Sequence, residues 1–294
     1  MKILLTGKNG QVGYELERSL QGLGEVVAVD RSQMDLSDLQ QVRDVIRSVK
    51  PDLIVNPAAY TAVDKAESEP ELAMRVNGEA PAVMAEEARK LGAAMIHYST
   101  DYVFDGTKAG AYVETDAPCP VNVYGASKLA GEQAIQAAGI PHLILRTSWV
   151  YGMRGKNFLL TVLRLAQERD ELRIVGDQFG SPTWCRTIAD TTALLVARLD
   201  GLGEARGFAL PGTQQDLSGI YHLTSQGRTS WHGFTEAILR QAGVSKKPVV
   251  TPIATSEYPL PARRPMNSEL SCARLQALQL ALPEWQVALD LCQN

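Results

Sequence analysis

Apolar and polar positions in the first half of the chain follow two alternating rhythms. Residues 2–6, 25–29, 52–56, 93–99 and 142–147 are short, largely apolar runs of strand length. Between them, residues 11–21, 38–49, 71–91 and 123–138 place apolar side chains three and four apart, the spacing of one helical face. Strand and helix in turn predict an α/β fold, a doubly wound parallel sheet of the Rossmann type with helices on both faces. Ligands of such sheets sit at the carboxyl ends of the strands. Gly7, Asp30, Ala58-Ala59-Tyr60 and Ser99-Thr100 all follow predicted strands.

After about residue 150 the rhythm loosens. Residues 157–169, 187–199 and 231–242 have helical spacing, and 174–175 and 220–223 read as short strands. Residues 251–267, with Pro259, Pro261 and Pro265, read as an ordered loop or linker. Short helices are expected at 272–276 and 285–292. The division expected is 1–150, mainly dinucleotide-binding, and 151–294, mainly a smaller substrate-binding lobe with some return to the first domain. No internal repeat or low-complexity tract interrupts either part.

Composition narrows the function. A length of 294 residues, 45% hydrophobic and 21% charged, suits an ordinary soluble globular protein. A net charge of −4 leaves no electrostatic footprint for nucleic acid or an anionic membrane. The four cysteines lack C-x-x-C spacing, which removes the usual zinc and thioredoxin signals and fits free thiols in a reducing compartment. The apolar run at 2–6 is too short for a signal peptide core or a membrane span. The chain is expected in the cytoplasm.

Two patterns carry candidate chemistry. Gly7-x-x-Gly10-x-x-Gly13 follows a strand and opens a helix, the setting in which a glycine turn cradles a dinucleotide pyrophosphate. Asp30 ends the second strand, where a carboxylate accepts hydrogen bonds from the adenine-side ribose. Asp30 favours NADH, whereas Arg31 beside it could pair with the extra phosphate of NADPH. Both cofactors stay open. The second pattern is Tyr124-x-x-x-Lys128, the only such spacing in the chain. Residues four apart share a helical face, so the Lys128 ammonium is expected to lower the Tyr124 phenol pKa and make it a usable proton donor. Thr100, at the end of strand four, supplies a hydroxyl to polarise a carbonyl. Arg263 and Arg264, beyond the proline-rich loop, are candidate diphosphate partners.

These motifs, with Ser99-Thr100-Asp101-Tyr102-Val103-Phe104-Asp105-Gly106, resemble the extended short-chain dehydrogenase/reductase superfamily. Four further runs resemble its dTDP-4-dehydrorhamnose reductase family: Ala62-Val63-Asp64-Lys65-Ala66-Glu67, Asn122-Val123-Tyr124-Gly125, Arg146-Thr147-Ser148-Trp149-Val150-Tyr151 and Arg264-Pro265-x-Asn267-Ser268. The resemblance implies Thr100, Tyr124 and Lys128 as the catalytic set, with NADPH or NADH as reductant. The implied reaction reduces the C4 ketone of dTDP-4-dehydro-L-rhamnose to dTDP-L-rhamnose, a donor for bacterial surface polysaccharides such as lipopolysaccharide O-antigen. It also implies cofactor contacts at Gly10, Gln11, Val12, Asp30, Asp35, Leu36, Ala59, Tyr60 and Thr61, and sugar contacts at Asp101 and Trp149. Some members dimerise through a magnesium site built from glutamates. Glu15 fits one such position, but Arg186 stands at another, and a cation is electrostatically wrong opposite a metal. No metal requirement is expected, and the chain is expected as a monomer or homodimer.

Neighbouring functions compete. Nucleotide-sugar 4,6-dehydratases share the turn and the Tyr–Lys pair but carry Thr-Asp-Glu, where this chain has Tyr102 after Asp101 and so lacks the second acid. Epimerases are separated only by the reductase-like runs at 62–67 and 146–151. A non-catalytic NADP-binding regulatory subunit on the same fold is the alternative from outside the enzymes.

Overall fold

The computed structural model describes residues 1–198, 216–243 and 248–293. Its centre is a six-stranded parallel sheet built from β1 (Lys2–Leu5), β2 (Glu25–Ala28), β3 (Leu53–Asn56), β4 (Ala94–Thr100), β5 (His142–Thr147) and β10 (Gly219–His222). The spatial order is β10-β5-β4-β3-β1-β2. The chain runs outward from β1 to β2, then crosses back to β3 on the other side of β1. That reversal opens a crevice between the carboxyl ends of β1 and β3, where sheets of this type take ligands. The doubly wound α/β expectation holds.

Alternation along the strands gives the sheet two buried faces. Ile3 and Leu5 of β1 point into one core with Leu16 and Leu20, from α1 (Gln11–Ser19) and its C-terminal end, and with Ile188 and Leu195 of α8 (Cys185–Ala197). Leu4 points into the other core. There it meets Val42 and Ile46 of α2 (Leu39–Val49), Met84 and Ala88 of α5 (Ala80–Leu91), and Ile135 of α6 (Val123–Ala137). Both faces are covered, so the strands read as continuous apolar runs.

Two short helices precede α5: α3 (Val63–Ala66) and α4 (Pro70–Met74). The sequence predicts one helix over 71–91. Instead α4 widens into a π-helical turn at Arg75–Glu79 before α5 begins. Such widened turns recur at functional sites, and this one turns Asn77 inward.

A third core lies in the second half of the chain. It joins Leu159 and Val162 of α7 (Phe158–Glu168), Phe234 and Ile238 of α9 (Trp231–Gln241), and Trp285 and Leu289 of α11 (Trp285–Gln293). Small pairings edge it: β6 (Val150–Tyr151) with β9 (Thr183–Trp184), β8 (Phe179–Gly180) with β11 (Thr229–Ser230), and β7 (Glu171–Val175) with β12 (Val249–Ile253). The short α10 (Ala273–Gln276) packs Leu275 back onto the main sheet. The stretch expected as loop from 251 therefore begins as a strand, with Pro252 tolerated because β12 has a partner on one side only. Residue 199, the expected end of α8, lies outside the described residues. No helix among the described residues is long and apolar enough to cross a membrane.

Candidate active site

The glycine turn sits in the crevice. Gly7 has φ +61°, and a Cβ there would come within 2.9 Å of the Ala58 Cβ at the end of β3. Only glycine allows both the backbone angle and that approach. Gly10 precedes α1 with no side-chain cap, and the first turn of α1 holds no acidic residue. The amides of Gln11 and Val12 are therefore left for an anion at the positive end of the helix dipole. The Gln11 side chain accepts a 2.8 Å bond from Asn157, which ties the turn to the second half of the chain.

Asp30 lies beside this turn. It accepts from the Ser32 hydroxyl at 2.6 Å and the Asn9 amide at 3.2 Å, with Lys8 Nζ 3.9 Å away. The Ser32 hydroxyl holds its carboxyl below the usual range, so it is an anion at neutral pH. Arg31 is largely exposed and bonds Asp35 at 3.1 Å. Asp35 in turn accepts from the Ser37 hydroxyl at 2.7 Å. Leu36 is buried in the core beside Met34 and Val42, so its side chain is structural. Ala59, Tyr60 and Thr61 form the loop after β3. Asn77 fastens that loop: its Oδ1 accepts from Tyr60 N at 2.8 Å, and its Nδ2 donates to Tyr60 O and to Ser127 Oγ, both at 3.0 Å.

Thr100, Asp101, Tyr124 and Lys128 come together at the end of β4. Thr100 Oγ1 donates to Asp101 Oδ1 at 2.9 Å and caps the following 3-10 turn, Asp101–Val103, by accepting from Tyr102 N at 3.2 Å. Asn122 caps α6 by accepting from Gly125 N at 2.8 Å. A Cβ on Gly125 would lie 2.1 Å from Tyr102 O, so glycine lets α6 close onto the 3-10 turn. The Tyr124 ring meets the Tyr102 ring edge-on at 5.8 Å. Burial pushes the Tyr124 phenol up to about 12, and the Thr100 hydroxyl pulls against that. Burial pushes Asp101 up to about 7; its Oδ2 has no hydrogen-bond partner among the described residues.

One expectation needs correcting. Lys128 does not lower the Tyr124 phenol here. Its Nζ is buried against β4, donating to Tyr98 O at 2.6 Å and meeting His97 Nε2 at 3.2 Å. Burial brings Lys128 itself down to about 8, and Glu132 opposes that fall. Desolvation of the phenol outweighs the Thr100 hydrogen bond, the Asp101 carboxyl adds to the rise, and Tyr124 is a protonated phenol at neutral pH.

Across the whole chain, residues 1–294 match the family model described as the RmlD substrate binding domain. A dTDP-4-dehydrorhamnose reductase of Burkholderia thailandensis is 51% identical, covering 99% of this chain and 98% of its own length. The chain belongs to the dTDP-4-dehydrorhamnose reductase family. The family member from Escherichia coli K12 is 45% identical over 100% of this chain and 97% of its own. Among solved structures, a dTDP-4-dehydrorhamnose reductase from Bacillus anthracis in complex with NADP superposes with a TM-score of 0.89. It is 34% identical and covers 99% of this chain and 98% of that one.

The family's sequence runs have a physical role in the fold. Arg264 grips Asp64 through two bonds of 2.8 and 2.7 Å, joining the 62–67 and 264–268 runs. Glu67 accepts from Val123 N at 2.8 Å, and Asn122 Nδ2 donates to Arg263 O at 2.8 Å, so both runs brace the start of α6. Arg264, expected at a diphosphate, thus already has a carboxylate partner, while the Arg263 side chain is exposed. Trp149 takes a left-handed φ of +46°, a strained angle for a non-glycine, and stacks on Trp231 at 3.5 Å. A cavity of about 420 Å³ opens beside this stack, lined by Tyr102, Phe158, Trp231, Tyr258 and Arg264 among others.

Sequence reasoning missed the supports behind Lys128. His97, Asn77, Glu132 and Arg146 are all buried. Two signals were available. Glu132 falls four residues after Lys128, on the Tyr124 face of α6, and His97 interrupts an apolar strand run.

Proposed function

We propose that this chain catalyses reduction of the C4 ketone of dTDP-4-dehydro-β-L-rhamnose to dTDP-L-rhamnose with NADPH or NADH. The reading rests on one observation: Thr100, Tyr124 and Lys128 meet at the carboxyl end of β4, in a chain 51% identical to a named reductase. The bound nicotinamide supplies the hydride. Gln11 and Val12 hold the pyrophosphate on the free amides of α1, and Asp30 receives the adenosine ribose. Arg31, exposed and tied among the described residues only to Asp35, is positioned to take a 2′-phosphate in NADPH. Lys128 holds the nicotinamide ribose by its ammonium.

The proton comes from the protein. Tyr124, a neutral phenol at working pH, donates its proton to the oxygen that gains charge at C4. The Thr100 hydroxyl, turning from Asp101, donates a hydrogen bond to the same oxygen as that charge develops. Asp101 and Trp149 contact the sugar. The cavity lined by Trp231, Tyr258 and Arg264 is of a size and apolar character to take the thymidine.

Tyr102 follows Asp101 where a dehydratase carries a glutamate, so the second carboxyl of its proton shuttle is missing. Residues 1–150 mainly serve the cofactor and 151–294 mainly the substrate. The product would feed cytoplasmic synthesis of surface polysaccharide, the O-antigen of lipopolysaccharide included.

The test is oxidation of NADPH by wild type and Tyr124→Phe with dTDP-4-dehydro-L-rhamnose. Wild-type turnover is expected to fall by roughly 10²–10⁴-fold in the variant with cofactor binding kept. A wild type that binds cofactor but turns over nothing would overturn the reading.

A further inference from the structure

A line of buried polar side chains runs from Lys128 under the sheet. Lys128 Nζ meets His97 Nε2 at 3.2 Å, and His97 Nδ1 meets Asn56 Nδ2 at 3.1 Å. On its far side, Asn56 Oδ1 accepts from Thr6 Oγ1 at 2.6 Å. Thr6 follows β1, Asn56 ends β3, His97 is the middle residue of β4 and Lys128 lies on α6, and none is more than 2% exposed. Burial, with the Lys128 charge next in weight, holds the His97 imidazole well below its ordinary range, so it is neutral. A neutral imidazole carries one proton and must accept on its other nitrogen.

Two proton arrangements satisfy this line. In the first, Asn56 Nδ2 donates to His97 Nδ1, which puts the proton on Nε2, facing Nζ. Lys128 must then be a neutral amine to accept it. In the second, the Asn56 amide is turned half a revolution, a change that leaves its shape the same. Its oxygen then accepts from His97 Nδ1–H, its Nδ2 donates to Thr6 Oγ1, and His97 Nε2 accepts from an ammonium. The charge on Lys128 and the tautomer of His97 are therefore one variable.

We propose that His97 is the positioning residue that keeps Lys128 an ammonium, its Nε2 accepting from Nζ while Asn56 and Thr6 fix the tautomer that allows it. Its effect on turnover rests on the reductase reading above, but its effect on Lys128 does not. The other groups facing Lys128 also bear on its charge, Glu132 by opposing its fall, but none of them fixes the tautomer of His97. From β4 it has the Tyr98 carbonyl, and from its own helix Tyr124, a neutral phenol. Glu132, one turn further along α6, has both oxygens engaged by Arg146 of β5 and one also by Ser99. Asn77 of the π-helical turn reaches α6 only through Ser127 and is uncharged.

The test follows the Lys128 Cε resonance by NMR in lysine-labelled protein, with Lys128→Met to assign it. His97→Leu removes the acceptor and is expected to lower the titration midpoint by about one pH unit, tenfold in proton affinity. His97→Gln, which restores an acceptor, is expected to lie near wild type. Asn56→Asp, an acceptor only, locks the proton on His97 Nδ1 and is expected to raise the midpoint. If His97→Leu fails to fold, the imidazole nitrogen shifts of wild-type His97 decide: a proton on Nδ1 supports the proposal and a proton on Nε2 overturns it. A midpoint unchanged in His97→Leu, or unchanged or lowered in Asn56→Asp, overturns the proposal. The alkaline limb of kcat/KM should follow these midpoints. Shifted midpoints in a protein without turnover would overturn the reductase reading and leave the His97 assignment standing.

Discussion

Glu132 and Arg146 face each other as a two-pronged ion pair sealed from solvent, each side chain 1% exposed. Nε reaches Oε1 at 3.0 Å and Nη2 reaches Oε2 at 2.6 Å, locking α6 to β5 directly beneath Lys128. Ser99 of β4 donates to the same Oε1, so three elements meet at one carboxylate. Removing one partner leaves the other charge buried and unpaired. Glu132→Ala is expected to cost about 3–5 kcal/mol in urea unfolding. The double substitution Glu132→Leu with Arg146→Leu should recover much of that loss, because neither charge then remains inside. A double variant no more stable than the single one would contradict this account.

Gly125 and the Tyr102 carbonyl define how closely α6 approaches the 3-10 turn after Thr100. A methyl group would sit 2.1 Å from that oxygen, with the Pro120 side chain 3.1 Å away, so the helix must move away. Gly125→Ala is expected to displace Tyr124 from Thr100 and lower kcat/KM by roughly 10²-fold, the usual cost of about 1 Å of misplacement. Cofactor affinity should change less, since the pyrophosphate and adenosine contacts at the glycine turn and Asp30 lie on other elements and only the Lys128 contact moves with α6. Steady-state kinetics beside a cofactor titration separates the two effects.

Much of this arrangement was legible in the sequence because it obeys local rules. The glycine turn, Asp30 after β2 and Tyr124–Lys128 on one helical face all depend on spacing within single elements. The supports of Lys128 obey no local rule. His97 meets Lys128 across 31 residues, and Asn56 meets His97 across 41. Those contacts exist only once β1, β3 and β4 lie side by side. The widened turn at Arg75–Glu79 was hidden for another reason: its apolar spacing continues that of the flanking helices, and Asn77 turns inward through long-range bonds to Tyr60 and Ser127. Nor could the sequence show that Asp64 already occupies Arg264.

Arg263 and Arg264 are neighbours in sequence with opposite surroundings. Arg263 is exposed, whereas Arg264 lines the cavity and holds Asp64 by a planar fork. Lysine keeps the charge but not the fork. Arg264→Lys is therefore expected to raise KM for the nucleotide-sugar by roughly tenfold, about 1.4 kcal/mol. Arg263→Ala should leave KM within about twofold, as an exposed side chain with no partner among the described residues contributes little. Equal effects at the two positions would show that the Asp64 link does not shape the cavity.

Asp101 ties stability to pH in a direction opposite to most carboxylates. Burial raises its carboxyl from 3.8 to about 7, so the folded protein holds a proton there that the unfolded chain has released. The stabilising share of that proton is fully present below about pH 4. It is lost as pH rises toward about 7, at up to about 1.4 kcal/mol per unit, and changes no further above that. Asp101→Asn keeps the shape and cannot ionise. Urea unfolding between about pH 5 and 8 should show wild type losing stability relative to this variant as pH rises. Parallel curves would mean that Asp101 stays ionised in the folded protein and that its Oδ2 finds a partner when the chain is in solution.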